Sequence, residues 1–127
     1  MFFEKAKEYA PAVVRISLAL VFLWFSANQF IYVNDFVGLI PDFLVNASGY
    51  SPAVFVMLNA FVEFTLGMFL LLGINVRFSS LILGLHLIGI AFAVGYGAVM
   101  VRDLGLALAT LSIFLHGRDK LCLEKEY

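Results

Sequence analysis

The stretch SPAVFVMLNAFVEFTLGMFLLLGINVR, residues 51–77, decides how this chain is read. From Ala53 to Val76 it is apolar and carries one formal charge, Glu63, close to its middle. A run of this length is a transmembrane helix, because about 20 apolar residues in helical rise cross the hydrocarbon core. A carboxylate at the bilayer centre costs about 2.5 kcal/mol or more on insertion scales. It persists when a proton, a partner side chain or a water-filled cavity answers it. The other residues must supply that answer.

The chain has 127 residues, 63% hydrophobic and 13% charged, whereas a soluble domain has about 25% charged residues. This composition defines an integral membrane protein of one domain, residues 1–127. A net charge of −1 without a basic stripe makes a nucleic-acid partner unexpected. The single cysteine, Cys122, rules out an intrachain disulfide and a CxxC pair, and with them thiol–disulfide membrane oxidoreductases. Lys5 and Lys7 precede an apolar run, as in a signal peptide. The uncharged stretch from Ile16 to Asn34 is too long for an h-region of about 7–15 residues, and no small-x-small cleavage site follows. It is read as a retained first span.

Four spans follow, at about residues 11–33, 52–73, 77–96 and 101–117. On the first, Arg15, Ala19, Phe22, Ser26 and Gln29 fall on one face. That face should point into the protein, since lipid satisfies no hydrogen bond. Residues 34–51, NDFVGLIPDFLVNASGYS, are too polar and broken to span and too apolar for a solvated linker. They read as an interfacial loop or short helix. On the second span Asn59 and Glu63 share a face that continues through Leu66, Gly67 and Leu70, and Gly73 ends the helix. The third span has His86 as its only titratable group, with Gly89, Ala93 and Gly97 at four-residue intervals on nearly the same face. Small residues so spaced let helices approach closely in lipid and form a candidate homodimer seam. On the fourth, Arg102, Gly105, Ala109, Ser112 and His116 share one face, and a polar tail follows.

Lys5, Lys7, Arg15, Arg77, Arg118, Lys120 and Lys125 fall on one side of the membrane, and Arg102 on the other. The positive-inside rule then makes both N- and C-termini cytoplasmic, which requires an even number of spans.

Glu63 and His86 lie near the midpoints of antiparallel neighbouring helices and so at similar depth. Two readings stand: a buried proton-carrying pair or polar ligand pocket, or a structural hydrogen bond between helices. Arg15 lies roughly 10 Å toward the cytoplasm from the centre of its helix. It either snorkels to headgroups or turns inward toward Glu63, and its shared face with Ser26 and Gln29 favours the inward course. Arg102 and Asp103 are adjacent, so they should not face each other on one helix. Asp35 and Asp42 lie on the same side, which makes a lid of loop carboxylates over Arg102 one reading and an ordinary interfacial flank the other. His86 is central and His116 terminal, so the two should not jointly ligate a haem. One cysteine and two distant histidines make no metal cluster, so no metal is expected. No P-loop, GxSxG or nucleotide fingerprint is present.

Three separated segments carry a resemblance: VRISLALVFLWFSANQF from Val14, VEFTLGMFLLLGINVR from Val62 and VRDLGLALA from Val101. Together they resemble the DoxX-like family of small four-helix membrane proteins, over roughly Pro11 to Gly117. A lysine often found late in that family's first helix is replaced here by Asn28 and Gln29. The resemblance implies a four-transmembrane-helix bundle in the cell membrane of a bacterium or archaeon, with Arg15, Glu63, Arg77, Arg102 and Asp103 as family-like polar positions. Relatives in the family include a membrane subunit of a thiosulfate:quinone oxidoreductase and proteins linked to redox stress or redox-enzyme maturation. The expectation is a membrane subunit or accessory protein of a quinone-linked redox system, not a stand-alone enzyme. It would bind a quinone-like or lipid-like ligand, or a redox partner, in a pocket near Glu63 with His86, Arg15, Asn59 and Gln29. Arg102 and Asp103 would form an outer-mouth polar group. The alternatives are a small proton-coupled transporter with Glu63 and His86 as relays, and a purely structural scaffold.

Overall fold

The computed structural model describes residues 2–123. Its elements are α1 (Phe2–Ile31), two single 3-10 turns (Val33–Asp35 and Val37–Leu39), α2 (Asp42–Ser48), α3 (Pro52–Leu72), α4 (Val76–Val94) and α5 (Ala98–His116). No strand occurs among the described residues. Four helices, α1, α3, α4 and α5, are long and apolar enough to cross a membrane. The protein is an all-α, four-span membrane bundle with a short helix between the first two spans.

The first helix begins nine residues earlier than its apolar core suggests, at Phe2 rather than Pro11. Glu4, Lys5, Ala6, Lys7 and Glu8 are good helix formers and carry the helix through the proline. At the other end of the hairpin, Gly73 closes α3 in the left-handed region at φ 76°. A side chain there would meet the Cys122 Cα at 2.5 Å, so the turn needs glycine for conformation and for space.

Lipid-facing positions hold large apolar side chains, among them Trp24, Phe61, Phe78, Phe92, Leu108 and Leu115. The interior is built from smaller pieces: Leu18, Ala19, Phe22, Leu70, Val76, Leu83, Leu87, Ala107 and Ile113. The two main packed pairs are α1 with α3 and α4 with α5. In the second pair the close approach is at Gly84, where a Cβ would stand 2.7 Å from Leu111 Cδ2 and 3.4 Å from the Ala107 carbonyl. Gly89 and Gly97 have nothing within 4 Å of a Cβ position, so this contact does not use them.

The expected inward face of α1 is the observed one: Arg15, Ala19, Phe22, Ser26 and Gln29 are all buried. On α5 the face shared by Arg102, Gly105, Ser112 and His116 is the outward one. The buried stripe of this helix is Asp103, Ala107, Thr110 and Ile113. Hydroxyls do not mark the interior here, because Ser112 and Thr110 both satisfy themselves on carbonyls of their own helix, Ala109 at 2.7 Å and Leu106 at 2.7 Å.

The segment after α5 is not a free polar tail. It folds back beneath the α3–α4 turn, where Cys122 is buried and the Leu123 N–H donates to the Leu72 carbonyl at 3.0 Å. Lys120 reaches Glu8 at 2.5 Å, so both ends of the described chain lie at one end of the bundle. The remaining tail residues, Lys125 included, lie outside the described residues.

Candidate functional site

Three helices supply a polar cluster inside an otherwise apolar bundle. Asn59, on α3, is its hub. Its side-chain nitrogen donates to Gln29 Oε1 on α1 at 2.7 Å and to Glu63 Oε1 one turn along α3 at 2.7 Å. Its Oδ1 is hydrogen-bonded to His86 Nε2 on α4. His86 Nε2 lies 3.9 Å from Glu63 Oε1. Glu63 and His86, on neighbouring helices, are thus close to each other, with Asn59 joining the two groups. Glu63 and Gln29 are buried, and the His86 side chain keeps 27% of its surface. The i to i+4 spacing of Asn59 and Glu63 sets the first link. The α3–α4 hairpin sets the second by bringing His86 alongside.

This cluster lines a cavity of about 490 Å³ bordered by α1, α3, α4, α5 and the segment that joins α1 to α3. Its polar lining is Gln29, Asn59, Glu63, His86, Arg102 and Asp103. The walls are apolar, with Phe22, Phe25 and Val56 from the helices and Phe36, Ile40 and Leu44 from the connecting segment. Gly89 and Ala93 also form part of the wall, on the same side as His86.

Arg102 and Asp103 line the same cavity as Glu63. They also touch each other, which adjacent helix positions were not expected to do: Arg102 Nε and Nη2 lie 3.4 Å from Asp103 Oδ1. The long arginine folds back along its own helix, and the separation exceeds the ~2.7–2.9 Å of a strong charge-assisted bond. The guanidinium rests over the Phe25 ring, 5.4 Å from its centroid. The loop carboxylates Asp35 and Asp42 form no lid over it among the described contacts. The loop contributes apolar side chains instead.

Arg15 turns inward but not toward Glu63. Its Nε and Nη2 donate to Asp119 at 2.7 and 3.2 Å, and its Nη1 donates to the carbonyls of Leu70 and Leu71 at 2.7 and 2.9 Å. It does not line the cavity. The reason is local: the C-terminus of α3 offers its last-turn carbonyls and the negative end of its dipole, and the returning tail brings a carboxylate. Arg15 and Asp119 side chains are 0% and 1% exposed. Burial by itself would push the Asp119 carboxyl up. The Arg15 hydrogen bond, the Leu121 N–H and the Arg15 charge outweigh it and hold the group below its ordinary value. Asp119 is a buried, strongly engaged side chain that sequence reading missed. A buried arginine calls for a carboxylate on its own side of the membrane, but Glu4, Glu8, Glu124 and Glu126 answer that description equally well.

The molecule is thus a small helical membrane protein whose bundle encloses an apolar cavity with one hydrogen-bonded polar cluster. The sequence profile of the DoxX family matches residues 10–96, well over half of the chain, so the chain belongs to that family. The matched region takes in Arg15, Gln29, Asn59, Glu63 and His86 and ends before α5, which carries Arg102 and Asp103. Neither curated protein sequences nor solved structures give a match.

Proposed function

We propose that this DoxX-family protein is a binding subunit of a membrane redox system, holding a small, mostly apolar quinone-like or lipid-like molecule beside Glu63. The observation that carries the reading is the cavity. Its volume of about 490 Å³ lies within the ~300–1,000 Å³ of small-molecule sites, and a few convergent polar groups in an apolar wall are how such sites fix orientation. The membrane is read as the cell membrane of a bacterium or archaeon. Both termini are read as cytoplasmic, because Arg15, Arg77 and Lys120 gather at one end of the bundle and Arg102 lies at the other.

The test is retention of ligand by protein purified in lipid nanodiscs, followed by mass spectrometry of bound lipids and quinones against empty discs. Gly89→Leu adds bulk to the cavity wall at a position with open space around its Cβ and should cut retention at least about fivefold, roughly 1 kcal/mol. Asn59→Leu removes the hub and should do the same. Retention unchanged in both variants sinks the assignment. The same spectra give stoichiometry, and so show whether a second copy packs on Gly89, Ala93 and Gly97.

A second reading rests on the presence of Glu63, His86 and Asp103 in one cavity, since such groups serve as proton relays in transporters. Proteoliposomes with no pH-dependent flux of any tested solute would count against it.

A further inference from the structure

The cavity reaches the surface between α3 and α4. These helices are joined by a short turn, but α3 packs chiefly on α1 and α4 chiefly on α5. The arms of the hairpin thus belong to different pairs. Near the turn, Leu70, Val76 and Leu83 are buried in the core. Farther from it, the cavity wall sweeps from the interior onto the lipid-facing side of both helices. At about 100° per residue, the α4 lining positions Leu87, Ile90, His86, Ala93 and Gly89 follow one another around the helix. Leu87 is buried, and Gly89 and Ala93 are exposed beside Leu85 and Phe92. On α3 the same sweep runs from buried Glu63 through Asn59 and Val62 to Leu58. Leu58 is exposed and also lines a shallow outer hollow with Phe30, Met57 and Phe61.

The rim of this gap is apolar, and one edge is small. Gly89 has nothing within 4 Å of a Cβ position, so it offers no side chain to close the opening. Where the wall reaches the surface between α1 and α5, it does so at Arg102, half exposed over the Phe25 ring. An apolar chain leaving there would strip water from a guanidinium, whereas one leaving past Leu58 and Gly89 meets only apolar surface.

Resting on the binding reading above, we infer that the gap between α3 and α4 is a lateral portal to the lipid. The guest is then a membrane-dissolved amphiphile that places its polar head at the Asn59 cluster and leaves its apolar chain in the bilayer. The cavity limits the size of the head, not the length of the chain, because chain that never leaves the hydrocarbon neither gains nor loses on binding.

The experiment uses the full chain in nanodiscs with para-alkylphenols from butyl to hexadecyl. Saturable binding is expressed per mole of lipid, so that partitioning into the disc cancels. Affinity should vary by less than about threefold along the series, since lipid tails are as apolar as the side chains they would replace. In Gly89→Leu, which narrows the mouth, the hexadecyl probe should weaken at least about fivefold and the butyl probe less than about twofold. A hexadecyl probe with a diazirine near the head end of its chain should label α3 and α4 around Leu58 and Ala93, and butylphenol should compete that labelling away. A sharp loss of affinity beyond one chain length, or competed labelling centred on Phe25 and Arg102, overturns the portal and leaves the cavity reading standing. No saturable binding of any probe, with Gly89→Leu also without effect on native ligand retention, overturns both.

Discussion

Replacing Asp119 by alanine should lower the stability of the folded bundle by about 3–5 kcal/mol, the cost of leaving one member of a buried ion pair alone. The magnitude follows from the geometry. Arg15 is fully buried and directs its guanidinium to two partners, the Asp119 carboxylate at 2.7 and 3.2 Å and the Leu70 and Leu71 carbonyls at 2.7 and 2.9 Å. Alanine removes the only carboxylate that pairs with Arg15 among the described residues. Asp119→Asn keeps an oxygen for Arg15 and for the Leu121 N–H, so its cost should be about 1.5–3 kcal/mol, the worth of a charged hydrogen bond. The Asp119 carboxyl is held below the ordinary value of 3.8 in the folded protein. A carboxyl lowered on folding contributes fully above the unfolded value and loses its contribution as pH falls through the folded one. Wild-type stability should therefore lose this contribution only in acid below about 3.8, and Asp119→Asn should lack that part of the acid loss. Detergent-titration unfolding in bicelles, followed by helical circular dichroism, measures both quantities. Asp119→Ala within about 0.5 kcal/mol of wild type, the range of inconsequential surface changes, would refute the account of the pair.

Three further outcomes follow from the same packing. Cys122 is 1% exposed and burial pushes its thiol up, so maleimide labelling at neutral pH should be slow in the wild type and faster by an order of magnitude or more in Asp119→Ala. Gly73→Ala combines a left-handed backbone at φ 76° with a Cβ 2.5 Å from the Cys122 backbone and should destabilise by about 1–3 kcal/mol, releasing the tail to proteolysis. Gly84→Val overfills the α4–α5 contact and should cost about 1–3 kcal/mol, whereas Gly89→Ala, with nothing within 4 Å, should change stability by less than about 0.5 kcal/mol, both read by the same unfolding titration.

Much of the fold was legible because lipid imposes strict rules on sequence. A span must be apolar along its whole length, so α3 and α4 were bounded to within a few residues, while α1 outran its apolar core through solvent-side helix formers. A polar side chain within a span must face the protein, so the α1 stripe through Arg15 and Gln29 could be read directly. On α5 that rule is silent, because Ser112 needs no partner beyond its own backbone and so says nothing about orientation.

By itself, the sequence determined the class of molecule, the number of spans, the inward face of α1 and the placement of Glu63 and His86 on neighbouring helices. These depend on local periodicity and on a turn too short to allow another arrangement. Only the tertiary structure decided the partners. Asn59, not Arg15, meets Glu63; Asp119, on a returning tail, takes Arg15; Arg102 and Asp103 join the central cavity. Each of those choices joins residues far apart in the chain, or turns on which way a long side chain bends, and periodicity carries no information about either. Glu63, the one charge between Ala53 and Val76, is thus answered by the Asn59 amide, which also joins it to His86 on the next helix.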